Sequence, residues 1–85
     1  MRAVCFTLAA FEQYTEWQTT DKSVLKKLNK LIVDTAKNPF AGIGKPEPLK
    51  HDFKGYWSKR ITDEHRLVYR VDDHTIFIIA CKYHY

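Results

Sequence analysis

Eighty-five residues, 45% of them hydrophobic and 14% aromatic, suffice for one domain with a packed core and exclude a disordered chain. No apolar run approaches the roughly 18 residues of a membrane span, and the longest, residues 76–81, is strand-sized. The formal net charge of +4 is a mild bias towards polyanions, sharper between residues 45 and 60, where Lys45, Lys50, Lys54, Lys59 and Arg60 face only Glu47 and Asp52.

Residues 3–6 read as a short strand, apolar throughout. The start Met1-Arg2-Ala3-Val4-Cys5-Phe6 imitates a signal peptide's charged start, but polar Thr7 interrupts the run and an aromatic helix pattern follows. The expectation is therefore a mature cytoplasmic protein, in which Cys5 and Cys81 are buried reduced thiols and not a disulfide framework. Residues 9 to about 18 read as a helix, with Phe11, Tyr14 and Trp17 inward and Glu12, Gln13 and Glu16 outward. Thr19-Thr20-Asp21 supplies N-cap chemistry for a second helix, in which Val24, Leu25, Leu28, Leu31 and Ile32 share one face. Asn38-Pro39 closes it. Residues 39–48 hold all three prolines and two of the three glycines, a loop of restricted geometry that brings Pro46-Glu47-Pro48 to the edge of the β-rich second half of the chain.

That half holds three strands, at 56–61, 65–71 and 75–81, joined by the turns Thr62-Asp63-Glu64 and Asp72-Asp73-His74, and such short links make them antiparallel neighbours. The last is apolar on both faces, with Ile76, Ile78 and Ala80 on one and Phe77, Ile79 and Cys81 on the other, so it belongs at the centre of the sheet. The order is β-α-α-β-β-β in a single domain over residues 1–85. This is an α+β fold in which two helices pack on one face of a mainly antiparallel sheet.

Register leads towards function. Trp57 and Ile61 share one face, as do Leu67, Tyr69 and Val71. Matching these faces pairs Ile61 with His65 and sets Arg60 opposite Arg66 on the other face, with Ser58, Val68 and Arg70. Two adjacent guanidiniums repel unless an anion joins them. Either Asp63 or Glu64 forms a salt-bridge network with them, or the pair is a phosphate seat.

The candidate acid–base groups are Glu47, held between prolines, and His84 in the terminal pair His84-Tyr85. A carboxylate and a histidine flanking arginines suit cleavage of RNA by its own 2′-hydroxyl. One group takes the 2′-OH proton, the arginines neutralise the phosphorane-like transition state, and the other group protonates the departing 5′-oxygen. Tyr85 is placed to stack on a base. No CxxC, HExxH or His-x-His spacing offers a metal site, and His51, His65, His74 and His84 are scattered, with His65 packing on the inner face or edge of the sheet. No Ser or Cys lies in a nucleophile elbow. Gly42-Ile43-Gly44 is not a nucleotide fingerprint, because no strand leads into it and no helix comes after it.

Three segments together resemble the YoeB toxins of the RelE/ParE superfamily. They are Lys45-Pro46-Glu47-Pro48-Leu49-Lys50-His51, the run from Gly55-Tyr56-Trp57 through Arg60-Ile61-Thr62-Asp63-Glu64-His65-Arg66-Leu67-Val68-Tyr69, and Ala80-Cys81-Lys82-Tyr83-His84-Tyr85. The resemblance also covers Trp17, Asp21-Lys22 and Asn38-Pro39-Phe40. It departs at Phe6 and Phe11, which stand where tryptophans are usual. It implies a RelE-like microbial RNase fold and a bacterial type II toxin that enters the ribosomal A site and cuts the mRNA there. It further implies Glu47 as general base, His84 as general acid, Arg60 and Arg66 as phosphate-binding arginines, Lys50 as a further substrate contact and Tyr85 as the base-orienting terminal aromatic. The implied enzyme is a metal-independent endoribonuclease without a cofactor. Its implied partners are mRNA, the 70S ribosome, a second copy of the chain and an antitoxin of YefM type, with no membrane. Two other classes stay open: a ParE-like inhibitor of DNA gyrase on the same scaffold, and a basic RNA-binding module without catalysis. Glu47, Arg66 and the terminal His84-Tyr85 favour the nuclease.

Overall fold

The computed structural model describes residues 1–83. Strand β1 (Ala3–Phe6) leads into helix α1 (Leu8–Thr20), whose N-cap Thr7 accepts from the Ala10 N–H at 3.1 Å. Asp21 both ends α1 and starts α2 (Lys22–Lys37). Its N–H donates to the Trp17 carbonyl, and its carboxylate accepts from the Ser23 and Val24 amides. Those bonds, Val24's first, hold the Asp21 carboxyl below the usual carboxylate range. One residue thus turns the chain into a helical hairpin.

The five-stranded sheet runs β1-β5-β4-β3-β2, with β2 Glu47–Pro48, β3 Tyr56–Arg60, β4 Arg66–Val71 and β5 Thr75–Ala80. All neighbours are antiparallel except β1 and β5, which run parallel. The expected α+β arrangement holds; β5 lies inside the sheet, paired on both sides by β1 and β4, while β4 takes the centre. Pro46-Glu47-Pro48, read as the end of a loop, contributes the edge strand β2. The β3–β4 turn closes through Ile61 N–H to the His65 carbonyl, with Thr62 Oγ1 accepting from the Glu64 and His65 amides. The β4–β5 turn closes through the Asp72 carboxylate, which accepts from His74 and Thr75 and is held low by those bonds.

Both helices cover one face of the sheet. The core joins Ala10, Trp17, Val24, Leu28 and Leu31 of the helices to Ile61, Leu67, Tyr69, Ile76 and Ile78 of the sheet. At roughly 25 cal/mol per Å² of apolar surface, this layer is the main stabilising term of so small a domain.

Four expectations need correction. The inward face of α1 is Ala10, Gln13, Tyr14 and Trp17, whereas Phe11 is half exposed. A three-residue recurrence drifts about 60° per step around a helix of 3.6 residues per turn, so Phe11 and Trp17 cannot share a face. Cys5 is exposed: pairing with Phe77 turns it to the open side of the sheet, and only Val4 and Phe6 of β1 point towards the helices. Cys81 is buried and both thiols are free, but Cys81 does not share a face with Phe77 and Ile79. A β-bulge pairs Tyr69 with Ile78 and Val68 with Ala80, so Ile79 is the extra residue and the alternation inverts after it. Cys81 therefore enters the core, and burial pushes its thiol up to about 12. Finally, Lys59 is not part of a solvated basic run but fully buried, on the face of Trp57 and Ile61.

Candidate active site on the open face of the sheet

Glu47 reaches the sheet through a tied loop. Lys59 Nζ bonds the Asp34 carboxylate at 3.3 Å and the Asn38 carbonyl at 3.0 Å. Asp34 also accepts from the Ile43 N–H at 3.0 Å. Burial alone would raise Asp34, but the Ile43 amide and the Lys59 ammonium hold it below its ordinary value; burial in turn pulls Lys59 down against the opposing pull of Asp34. The Tyr69 hydroxyl donates to the Pro39 carbonyl, and the Phe40 ring lies 5.0 Å from that of Trp57. Gly44, at φ +86°, accepts from the Arg60 N–H at 2.6 Å, and a Cβ there would stand 2.9 Å from Leu31 and 3.0 Å from Lys59. Gly42-Ile43-Gly44 thus serves as a clasp over the Asp34–Lys59 pair, and the loop is tied down at several points just before Glu47.

Glu47 pairs with Ser58, which pairs with Val68, which pairs with Ala80. These four form one cross-strand row on the open face. Arg60 and Arg66 pair directly in the next row, as register matching predicts. Rows on one face are roughly 7 Å apart and strands about 5 Å apart, so the carboxylate of Glu47 and both guanidiniums border the same stretch of surface. On the far side of the Glu47 row, Arg70 lies over the Phe77 ring at 4.2 Å, next to Tyr56.

The salt-bridge alternative for the arginines does not hold among the described residues: neither Asp63 nor Glu64 pairs with either one. Arg66 Nη1 instead donates to the turn carbonyls of Thr62 (2.7 Å), Asp63 (3.1 Å) and His65 (3.2 Å). Carbonyl dipoles fix the side chain and draw it away from Arg60 without cancelling its charge. Arg66 Nη2 and Nε, and the whole Arg60 guanidinium, make no hydrogen bond among the described residues, which leaves donor forks for an anion.

The segment that follows β5 is brought, as far as Tyr83, to the same place. Beyond the bulge, the Cys81 N–H donates to Gln13 Oε1 (2.8 Å) and the Cys81 carbonyl accepts from Trp17 Nε1 (2.9 Å). Lys82 bonds Glu16, which raises the Lys82 ammonium. The Tyr83 carbonyl accepts from the Arg66 N–H and the Tyr83 N–H donates to His65 Nδ1, both at 2.8 Å. Helix α1 therefore does more than cover the core: its Gln13, Glu16 and Trp17 steer the departing strand to Arg66. The expected site residues His84 and Tyr85 lie outside the described residues. Lys50, exposed at the head of a 3₁₀ turn (His51–Phe53), lies beyond the Glu47 row on the side away from the arginine pair.

Three non-glycine residues take positive φ: Lys45 (51°), His51 (59°) and Tyr83 (59°). Each stands within two residues of a candidate, beside Glu47, Lys50 and His84. Backbone strain of this kind concentrates at functional sites. Among the described residues no three His, Cys, Asp or Glu side chains gather to hold a metal ion.

Sequence reading missed the Asp34–Lys59 clasp and the grip of Gln13 and Trp17 on Cys81. Alternation already placed Lys59 with Trp57 and Ile61, and that was its signal; nothing local marks Gln13.

The model of the YoeB-like toxins of bacterial type II toxin–antitoxin systems matches residues 6–85. Toxin YoeB of Escherichia coli K12 is 58% identical over 76 residues, covering 89% of this chain and 90% of that one. A YoeB dimer from Staphylococcus aureus superposes at a TM-score of 0.91 with 49% identity, covering 99% of this chain and 98% of that chain. A YoeB–YefM complex from Staphylococcus aureus gives 0.89 with 48% identity over 100% and 99%.

Proposed function

The chain belongs to the YoeB-like toxins of bacterial type II toxin–antitoxin systems, and from that premise we propose that it is a ribosome-dependent endoribonuclease that cuts mRNA in the A site. The observation that carries the reading is the open face of the sheet, where Glu47 borders the Arg60–Arg66 pair and Tyr83 bonds the Arg66 backbone.

In this reaction the Glu47 carboxylate takes the proton of a 2′-hydroxyl, whose oxygen attacks the adjacent phosphorus. The guanidinium forks of Arg60 and Arg66 neutralise the charge gathering on the phosphorane-like oxygens. His84 gives a proton to the departing 5′-oxygen, Tyr85 stacks on a base, and Lys50 holds the backbone further along. The products are a 2′,3′-cyclic phosphate and a free 5′-hydroxyl, and the chain's own residues supply every proton and charge. Its partners are mRNA and the 70S ribosome, a YefM-type antitoxin and a second copy of itself. The Staphylococcus aureus dimer and YoeB–YefM complex support the last two.

Toeprinting in a translation extract tests the reading, because a nuclease creates a new mRNA end inside the A-site codon. Glu47→Gln should fold and bind ribosomes yet lose about 10²–10⁴-fold in cleavage, the usual contribution of a general acid–base group. Wild-type cutting by that variant overturns the assignment. Full-length mRNA together with loss of gyrase supercoiling would point to the ParE-like activity instead.

A further inference from the structure

One imidazole holds the chain just before His84. His65 Nδ1 accepts from the Tyr83 N–H at 2.8 Å, while the Tyr83 carbonyl accepts from Arg66. Tyr83 is left-handed, φ +59°, a strained conformation for a non-glycine residue. Such a conformation persists only where the surroundings hold it, and these two bonds do. The His65 side chain is itself fixed. It is only 12% exposed and stands edge-on to Trp17, with ring centroids 4.7 Å apart. The Tyr83 ring lies 5.7 Å away on its other side.

The bond to Tyr83 uses the lone pair of Nδ1, and Nε2 faces the Glu64 carboxylate at 3.9 Å.

We propose that His65 is a positioning residue: its imidazole Nδ1 latches Tyr83, the residue that precedes His84. The consequence for cleavage rests on the nuclease reading above; the latch itself does not.

The test separates the two. Amide exchange of Tyr83, relative to its unstructured rate, is followed by NMR in the free protein. The expected result is a protected Tyr83 amide in wild type. His65→Asn, whose amide oxygen falls near the Nδ1 position, should keep Tyr83 protected. His65→Gln, whose oxygen falls near Nε2, should lose that protection while the Ile78 amide in the core stays protected. On ribosomes His65→Gln should lose about 10²-fold in kcat, the scale of a roughly 1 Å misplacement, with KM little changed, and His65→Asn should restore most of it. An unprotected Tyr83 amide in wild type, or protection that is equal in the Asn and Gln variants, overturns the latch. A latch that behaves as expected beside a His65→Gln enzyme of wild-type kcat overturns the positioning role. Wild-type protein that leaves mRNA intact overturns the nuclease reading, and the amide data still judge the latch.

Discussion

Replacing Asp34 by Asn should be among the most damaging single changes in this chain, and the reason lies in Lys59. The Lys59 side chain is 0% exposed, whereas that of Asp34 is 23% exposed. Asp34→Asn leaves the ammonium sealed in the core with only the Asn38 carbonyl and a neutral amide as partners. Breaking a buried ion pair by removing one partner costs about 3–5 kcal/mol. A domain of this length has roughly 4–13 kcal/mol in total, taking about 0.05–0.15 kcal/mol per residue. The variant should therefore lose about a quarter or more of its stability. The opposite deletion, Lys59→Met, should cost less, about 1–3 kcal/mol, because water reaches the orphaned carboxylate and the Ile43 amide still bonds it. Urea unfolding at neutral pH decides the matter. With a slope of about 1–3 kcal/mol per M, the Asp34→Asn midpoint should fall by at least about 1 M, and the slope itself should not change. Glu47 should also be delivered less firmly, so folded Asp34→Asn should cut mRNA more slowly than its folded fraction explains. A loss below about 1 kcal/mol in Asp34→Asn, or a greater loss in Lys59→Met, refutes the assignment of the pair as the clasp of this loop.

Alkali should weaken the fold in stages. Burial pushes the Cys81 thiol from 9.0 to about 12, so the stability tied to its neutral form is whole below pH 9 and drains away as pH rises towards 12. Burial, and then the charge of Asp34, raise the Tyr69 phenol as well, which adds a second loss above its ordinary 10.0. The urea midpoint should fall from about pH 9 upward, and Cys81→Ala should delay that onset by roughly one pH unit. Gly44→Ala should destabilise by roughly 2–4 kcal/mol, adding left-handed strain to a clash with Leu31 and Lys59, whereas Gly55→Ala, with nothing within 4 Å of the new Cβ, should show the strain alone in the same denaturation assay. Arg60→Ala should leave the melting temperature unchanged and lower cleavage; Arg66→Ala should lower both, the melting temperature only slightly because water replaces it on the turn carbonyls. Arg66→Lys should still cleave poorly, since an ammonium lacks the planar fork.

The amino-acid sequence by itself determined which residues pair across the hairpin of β3 and β4. Periodicities of 3.6 and 2 and the short turns at 62–64 and 72–74 place Arg60 opposite Arg66 without any knowledge of the fold, because one face of each strand must meet the helices and a slip of one residue would expose it. The two helices, their Asp21 junction and the interior place of β5 come from the same local chemistry. Tertiary structure decided what long-range contacts alone can set. The bulge at Ile79 reverses the alternation and sends Cys81 inward. The burial of Lys59 needs Asp34, 25 positions earlier, to come within 3.3 Å. The grip of Gln13 and Trp17 on Cys81 spans 68 and 64 positions. An ion pair or a cap across such distances has no local signature, since its partners meet only after the core has closed. That closure is what turns a lysine that reads as solvated surface into the pin of the loop that carries Glu47.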